Sequence, residues 1–328
     1  MMLLVRSPLR ISLGGGGTDL PSYYRKRGGY LIAGAIDKYI YTSAIKPFKE
    51  GIFLKYSEIE QVSEPSQIKH KIFREILTMF ENNDPYQIEL TTLADIPSGT
   101  GLGSSGAFTV SALKTLQMFN SEYSTNESIA KLACQIEIER LNEPVGKQDQ
   151  YASAIGGLTE FIFHKDDSVE FNRLPIDNEL LNNIQDSILM FFTGYSRSAS
   201  SILSNQDQKT KSGDSEMLYN LDLVKEMGEI SRNLLIKGDI NQYGLLMLDH
   251  WEKKLKRSPN MCSEEIKKFI KIGLENGAVG GKLVGAGGGG FLLFITKDKI
   301  QLRKAMHTIG LKELRFNIDK LGVHVLQA

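Results

Sequence analysis

The chain has 328 residues, 41% of them hydrophobic and 24% charged, with 39 Lys and Arg against 39 Asp and Glu. That length exceeds what one hydrophobic core usually organises and predicts two domains, while the balanced charge gives no global field for nucleic acid or a membrane surface. Two cysteines, Cys134 and Cys262, are too few for a disulfide framework or a thiolate metal site and suit a reducing compartment.

The opening MMLLVRSPLR has no long apolar core and does not read as a signal peptide. No run reaches the roughly eighteen apolar residues of a spanning helix. A cytoplasmic protein without membrane or nucleic-acid partners is expected. In chain order, 3–13 reads as a strand that runs into the glycines 14–17, and 29–45 is a second strand rich in β-branched and aromatic residues. Ile68, Ile72, Phe73, Ile76, Met79 and Phe80 share one face of a helix predicted over 65–82. A strand over 86–95 leads into IPSGTGLGSSGAF (96–108), which is followed by a helical stretch, TVSALKTLQMF. The next helix starts at a capping box between Ser124 and Glu127 and runs to about Leu141, and 156–174 returns to strands.

The second half repeats this texture in another order. SILMFFTG (187–194) is a buried strand, 214–257 a long helical region and 263–277 a further helix. KLVGAGGGGFLLFIT (282–296) reads as two short strands around a glycine turn, followed by a helix near 298–308 and a closing strand, GVHVLQA. These elements make an α+β protein, divided into 1–180 and 181–328.

The glycine-rich stretch 96–108 poses the chemical question. Glycine in quantity costs backbone entropy, so a bare backbone must be needed there. A helix N-terminus behind such a loop suits a phosphate. The Walker pattern G-x-x-x-x-G-K-[ST] fails, because no lysine lies between Leu93 and Lys114. Gly101, Gly103 and Gly106 match G-x-G-x-x-G, but the following helix leads to another capped helix rather than to the strand a dinucleotide fold needs. What remains is a proline, glycines, two adjacent serines and a helix start. A hydroxyl at that position can ligate Mg²⁺ while backbone amides hold phosphate oxygens.

Pro97-Ser-Gly-Thr-Gly-Leu-Gly-Ser-Ser-Gly106 resembles the second motif of the GHMP kinases. RSPLRISLGGGGTDLPSYY resembles their first motif and KLVGAGGGGFLLFI their third, so the three stand in the family's order across positions 6–291. The resemblance implies an N-terminal domain like ribosomal protein S5 domain 2, a ferredoxin-like C-terminal domain, and a Mg²⁺- and ATP-dependent kinase. It implies nucleotide contacts by Pro97, Gly99, Gly101, Leu102, Gly103, Ser104, Ser105 and Gly106, the last standing where alanine is commoner. Ser105, with Ser104 as the alternative, and Glu139 would ligate Mg²⁺. Asp149, in GKQDQYA, would face the acceptor hydroxyl as base or orienter, with Arg10 stabilising its ionised form.

The GGGTD variant resembles heptose 7-phosphate kinases and the kinase part of fucokinases, which implies a sugar or sugar-phosphate acceptor held by Gly17, Thr18 and Asp19. Arg197 in FTGYSRSAS is a candidate phosphate cradle, and Gly287 and Gly288 of the third motif would support the site. The basic run HWEKKLKRSP (250–259) reads as one solvated helix face. A homodimer is the assembly to test. The rival readings are the same chemistry on fucose, a non-catalytic sugar and ATP sensor on this fold, and a dinucleotide-dependent oxidoreductase.

Overall fold

A computed structural model describes residues 2–80, 86–195, 200–257 and 261–327. The first sheet is built on two long antiparallel strands, β1 (Met2–Gly14) and β2 (Gly29–Ile45), joined through a glycine loop and α1 (Pro21–Arg27). β2 outruns its partners and splits its pairing. Its second half meets β5 (Gln87–Ala94), and its first half meets β6 (Leu158–Phe163), which pairs with β7 (Val169–Arg173). β3 (Gly51–Lys55) and β4 (Ile59–Val62), not anticipated from the sequence, extend the sheet beyond β5. α2 (Lys71–Met79), α3 (Ser104–Phe119), α4 (Asn126–Cys134) and α5 (Gln148–Ile155) accompany this sheet, with α3 and α5 packed on β1 and β2. The core between them includes Val5, Leu31, Val110, Leu113 and Phe161, all fully buried.

After α6 (Asn178–Asp186) a second sheet opens with β8 (Ile188–Phe192). Four helices intervene, α7 (Ser200–Lys211), α8 (Ser215–Lys237), α9 (Ile240–Leu255) and α10 (Glu264–Glu275). β9 (Ala278–Leu283), β10 (Phe291–Thr296), α11 (Lys299–Thr308) and β11 (Lys312–Glu313) complete it. The spatial order β11-β8-β10-β9 is the ferredoxin-like one, the fourth strand beside the first and the third beside the second. The last strand, β12 (His324–Gln327), crosses back to pair with β1, so the segment 181–328 is not self-contained.

Local chemistry explains where expected boundaries move. The helix expected over 65–82 begins as a 3₁₀ turn at Pro65–Gln67, and α2 starts only at Lys71, where the His70 ring accepts from the Phe73 amide; positions 81–85 lie outside the described residues. Thr125, not Ser124, caps α4 by accepting from the Ser128 amide, while the Ser124 hydroxyl donates to Gln117. The region 214–257 is two helices, because Gly238 takes a left-handed φ of 71° and Asp239 caps a fresh start. No helix among the described residues is long and apolar enough to cross a membrane.

Candidate active site

A cleft of about 1190 Å³ runs between the two sheets and collects residues from all three glycine-rich motifs. Its floor at one end is the loop 97–103. Gly99, Gly101 and Gly103 there adopt φ of 74°, 82° and 76°, which L side chains resist. Gly103 is the N-cap of α3 and no side chain caps that helix, so its first amides are left for a ligand. Pro97, Gly99, Gly101, Gly103, Ser104 and Ser105 line the cleft. Leu102 is fully buried beneath, its carbonyl accepting from the Arg10 amide at 2.9 Å. The Arg10 side chain braces the same loop through Nη1, which donates to the Gly101 carbonyl at 2.6 Å. From the other side the turn 284–290 presses backbone on backbone: a Cβ on Gly285 would lie 2.5 Å from the Gly101 Cα.

Two pairs of side chains meet at the start of α3, one an ion pair and one a hydroxyl bonded to a carboxylate. Arg10 donates through Nε to Asp149 Oδ1 at 2.8 Å, and its Nη2 lies 2.6 Å from the same oxygen. Asp149 keeps 31% of its side chain exposed toward the cleft and stays reachable by a second molecule. Gly106 sets the approach of α5 to α3, because a Cβ there would fall 2.7 Å from the Asp149 Cβ. Alanine would therefore displace Asp149, and the glycine is a requirement of this chain rather than a neutral variant.

The second pair corrects an expectation. Ser105 Oγ donates to Glu137 Oε2 at 2.7 Å, and Gln150 Nε2 donates to the other carboxylate oxygen at 2.9 Å. Glu139 is exposed and outside the cleft. The cause is local: the backbone after α4 turns as a π-helix over Gln135–Arg140, which changes the helical register and carries Glu137 inward. Burial raises the Glu137 carboxyl above its usual range, against hydrogen bonds that lower it.

The apolar end of the cleft, beyond Pro97, was not foreseen. Tyr56, His70, Ile72, Leu93, Ile96 and Phe108 line it, with the His70 ring 4.9 Å from Phe108 and 4.7 Å from Tyr56. Burial lowers the His70 pKa and keeps the ring neutral, which suits a flat base.

The sequence profile of the GHMP kinases N terminal domain matches residues 70–157, and that of the GHMP kinases C terminal matches residues 231–310. The D-glycero-alpha-D-manno-heptose 7-phosphate kinase of Campylobacter jejuni is 30% identical over 331 residues, which cover 97% of both chains. The chain belongs to the GHMP kinases. A galactokinase of Pyrococcus furiosus is 27% identical over 98% of this chain and 95% of its own. The crystal structure of a D-glycero-D-manno-heptose 1-phosphate kinase from Bacteroides thetaiotaomicron shares the fold, with a TM-score of 0.80 at 23% identity and 99% coverage of each chain. The protein is an ATP-dependent sugar kinase.

In this GHMP kinase the first motif forms the other end of the cleft. Asp19 is buried, with Oδ1 accepting from the Gly17 amide at 3.2 Å and Oδ2 from the Gln148 amide at 3.0 Å. It fastens the first motif to α5, and burial raises its carboxyl pKa. Gly17 lines the cleft with φ of 99°. Thr18, expected to touch the acceptor, does not line the cleft. Its hydroxyl proton is shared between the carbonyls of Gly15 and Tyr30 and its oxygen accepts from the Tyr30 amide, because a threonine this deep must satisfy its oxygen on backbone. Gly287 borders the cleft, whereas Gly288 lies behind it and donates its amide to the Met261 carbonyl. Arg197 lies outside the described residues.

The basic run 250–259 is not one solvated face. His250, Lys254 and Arg257 are buried and line the cleft, as does Lys282 of β9. Their spacing is i, i+4 and i+7, one side of a helix.

Proposed function

We propose that this kinase transfers the γ-phosphoryl of ATP to the anomeric hydroxyl of D-glycero-α-D-manno-heptose 7-phosphate, giving the 1,7-bisphosphate on the way to nucleotide-activated heptose in the cytoplasm. The observation that carries the reaction is the Arg10–Asp149 pair, 2.6 Å apart, beside the uncapped start of α3. The acceptor is supported by the full-length similarity to the C. jejuni enzyme.

The residues fit the roles the chemistry requires. The free amides at the start of α3 and the Ser104 hydroxyl bind the nucleotide's phosphate oxygens, and the slot around Tyr56, His70 and Phe108 takes the base. The Ser105 hydroxyl and the buried Glu137 carboxylate are two hard oxygen donors 2.7 Å apart. They suit a Mg²⁺ that completes its shell from phosphates, and a cation there compensates a carboxylate whose burial otherwise disfavours its charge. A Mg²⁺ held by Ser105 and Glu137 would supply positive charge to offset that of the phosphates. Asp149 accepts or orients the proton of the acceptor hydroxyl as that oxygen bonds to phosphorus. Arg10 holds Asp149 in place and stabilises charge on the group in transfer, and ADP leaves.

The test is product identity. Incubation with Mg²⁺, ATP and heptose 7-phosphate should give one new phosphorus resonance coupled to the anomeric proton, alongside ADP. A phosphate on any other hydroxyl, or turnover confined to an unphosphorylated sugar such as fucose, would overturn the acceptor assignment. ATP and sugar binding with no turnover would favour a sensor.

A further inference from the structure

The C-terminal side of the cleft holds a group of cations with no counter-charge of their own. Arg257 is 4% exposed, Lys254 7% and Lys282 3%, and none forms an ion pair among the described residues. Arg257 donates from Nε to Asn220 Oδ1 at 2.9 Å and from Nη1 to the Gly16 carbonyl at 3.0 Å, while Nη2 is buried without a partner. Lys254 spends its ammonium on the carbonyls of Leu283 and Gly285. The Lys282 side chain has no hydrogen-bond partner, and both ring nitrogens of buried His250 have none, among the described residues. Ser12 Oγ and Gln148 Nε2, on the same cleft, are buried and unpartnered too. Buried polar atoms are rarely left so, and unpaired buried cations cost several kcal/mol each, so the cluster implies a missing anion.

We infer that Arg257 and Lys282, backed by His250 and Lys254, hold the phosphate that the acceptor already carries, and so set this kinase's preference for a phosphorylated sugar. The inference rests on the sugar-phosphate reading above and adds the residues that enforce it. Position separates this anion from ATP. The nucleotide's phosphates belong to the loop 97–103 and the start of α3, whereas Arg257 is seated against the first motif, where a Cβ on Gly17 would lie 2.6 Å from its Nη1. Asp19 is the carboxylate Arg257 feels most, but both its oxygens already accept from backbone amides. A phosphate dianion offers three oxygens, enough to engage the free edge of a guanidinium and an ammonium together. Burial, and after it the repulsion of Arg257 and Arg10, brings the Lys282 pKa down to about 7. An anion between them relieves that repulsion.

The test uses the full chain with the phosphate loop filled by Mg²⁺ and a non-hydrolysable ATP analogue. Inorganic phosphate at millimolar concentration should then raise the thermal midpoint of the wild type by a few degrees. Lys282→Met should raise the ligand-free midpoint and lose that shift, since it removes a buried unpaired charge. In turnover, Arg257→Lys and Lys282→Met should each lower the ratio of kcat/KM for heptose 7-phosphate to that for the unphosphorylated heptose by about thirtyfold, the scale of one charged hydrogen bond. KM for ATP should hold. Equal losses on both acceptors, a raised KM for ATP with the ratio unchanged, or a phosphate shift that survives in Lys282→Met would each overturn the assignment. If the wild type ignores heptose 7-phosphate yet shows a phosphate shift that Lys282→Met abolishes, the phosphate seat stands and the heptose reading falls.

Discussion

At the phosphate-loop end of the cleft both carboxylates are held, one by an ion pair and one by neutral hydrogen-bond donors. Arg10 holds Asp149 at 2.6 Å, and Glu137 accepts from Ser105 and Gln150. At the C-terminal end Arg257, Lys254 and Lys282 face one another with no carboxylate paired to any of them among the described residues. Paired charges position groups that must act on a bound substrate without drifting. Unpaired buried ones leave a deficit that only a ligand removes, which makes that end a recognition device rather than a catalytic one.

Breaking the paired end should have the larger effects. Asp149→Ala removes the group we propose to take or orient the acceptor proton, and kcat should fall by about a thousandfold. ATP affinity, read by calorimetry, should stay near wild type, because the α3 amides and the Ser105–Glu137 pair remain. A collapse of ATP binding would mean that Asp149 serves the nucleotide. Next in size, Glu137→Gln should cut kcat/KM for Mg²⁺–ATP by about a hundredfold, the scale of losing one electrostatic contact to the transferring group. Glu139→Gln, on the exposed side of the π-turn, should change it by less than about twofold, as surface substitutions do. The reverse order would restore the reading based on resemblance.

How much of this was legible follows the same division. β1, β2 and β5 and the loop 96–108 carry their signals locally, in runs of apolar and β-branched residues and in glycines that only a bare backbone explains, so they emerge from the sequence close to their final limits. The Arg10–Asp149 contact joins residues 139 positions apart and came from motif resemblance alone. The resemblance points to Glu139, and α-helical spacing puts Glu137 on a different face, whereas the π-turn brings Glu137 to Ser105 and leaves Glu139 exposed. Thr18 was misassigned because sequence cannot tell a hydroxyl aimed at a ligand from one consumed by backbone. The cation cluster did leave a trace. The buried face of α9 runs through Tyr243 and Met247 and then continues into His250, Lys254 and, just past the helix, Arg257, so charges occupy the apolar stripe. Lys282 is likewise the one charge in the strand AVGGKL.

Smaller effects sharpen the division. Gly285→Val should lower ATP affinity by about tenfold, since a side chain at φ of 76° meets the Gly101 backbone, at a cost on the scale of backbone strain. kcat at saturating ATP should move less. At the unpaired end the expected signature is pH. The Lys282 pKa of about 7 in the folded state lies below its unfolded value near 10.4. Between those values the unfolded chain binds the extra proton, so ligand-free stability should rise as pH goes from about 7 to 10. Arg257 and Arg10 face the same space and push Lys282 the same way as burial, and Lys254 beside it is itself lowered by burial. Lys282→Met should flatten the rise in denaturant midpoint, and an unchanged slope would place the titration elsewhere.

The most direct test is ADP release with Mg²⁺ and ATP across heptose 7-phosphate, mannose 6-phosphate, fucose and galactose. A catalytic pair at one end and a phosphate seat at the other predict turnover with heptose 7-phosphate and at least tenfold less with either unphosphorylated sugar, the scale of one charged contact. Turnover on fucose or galactose that equals or exceeds it would contradict the account.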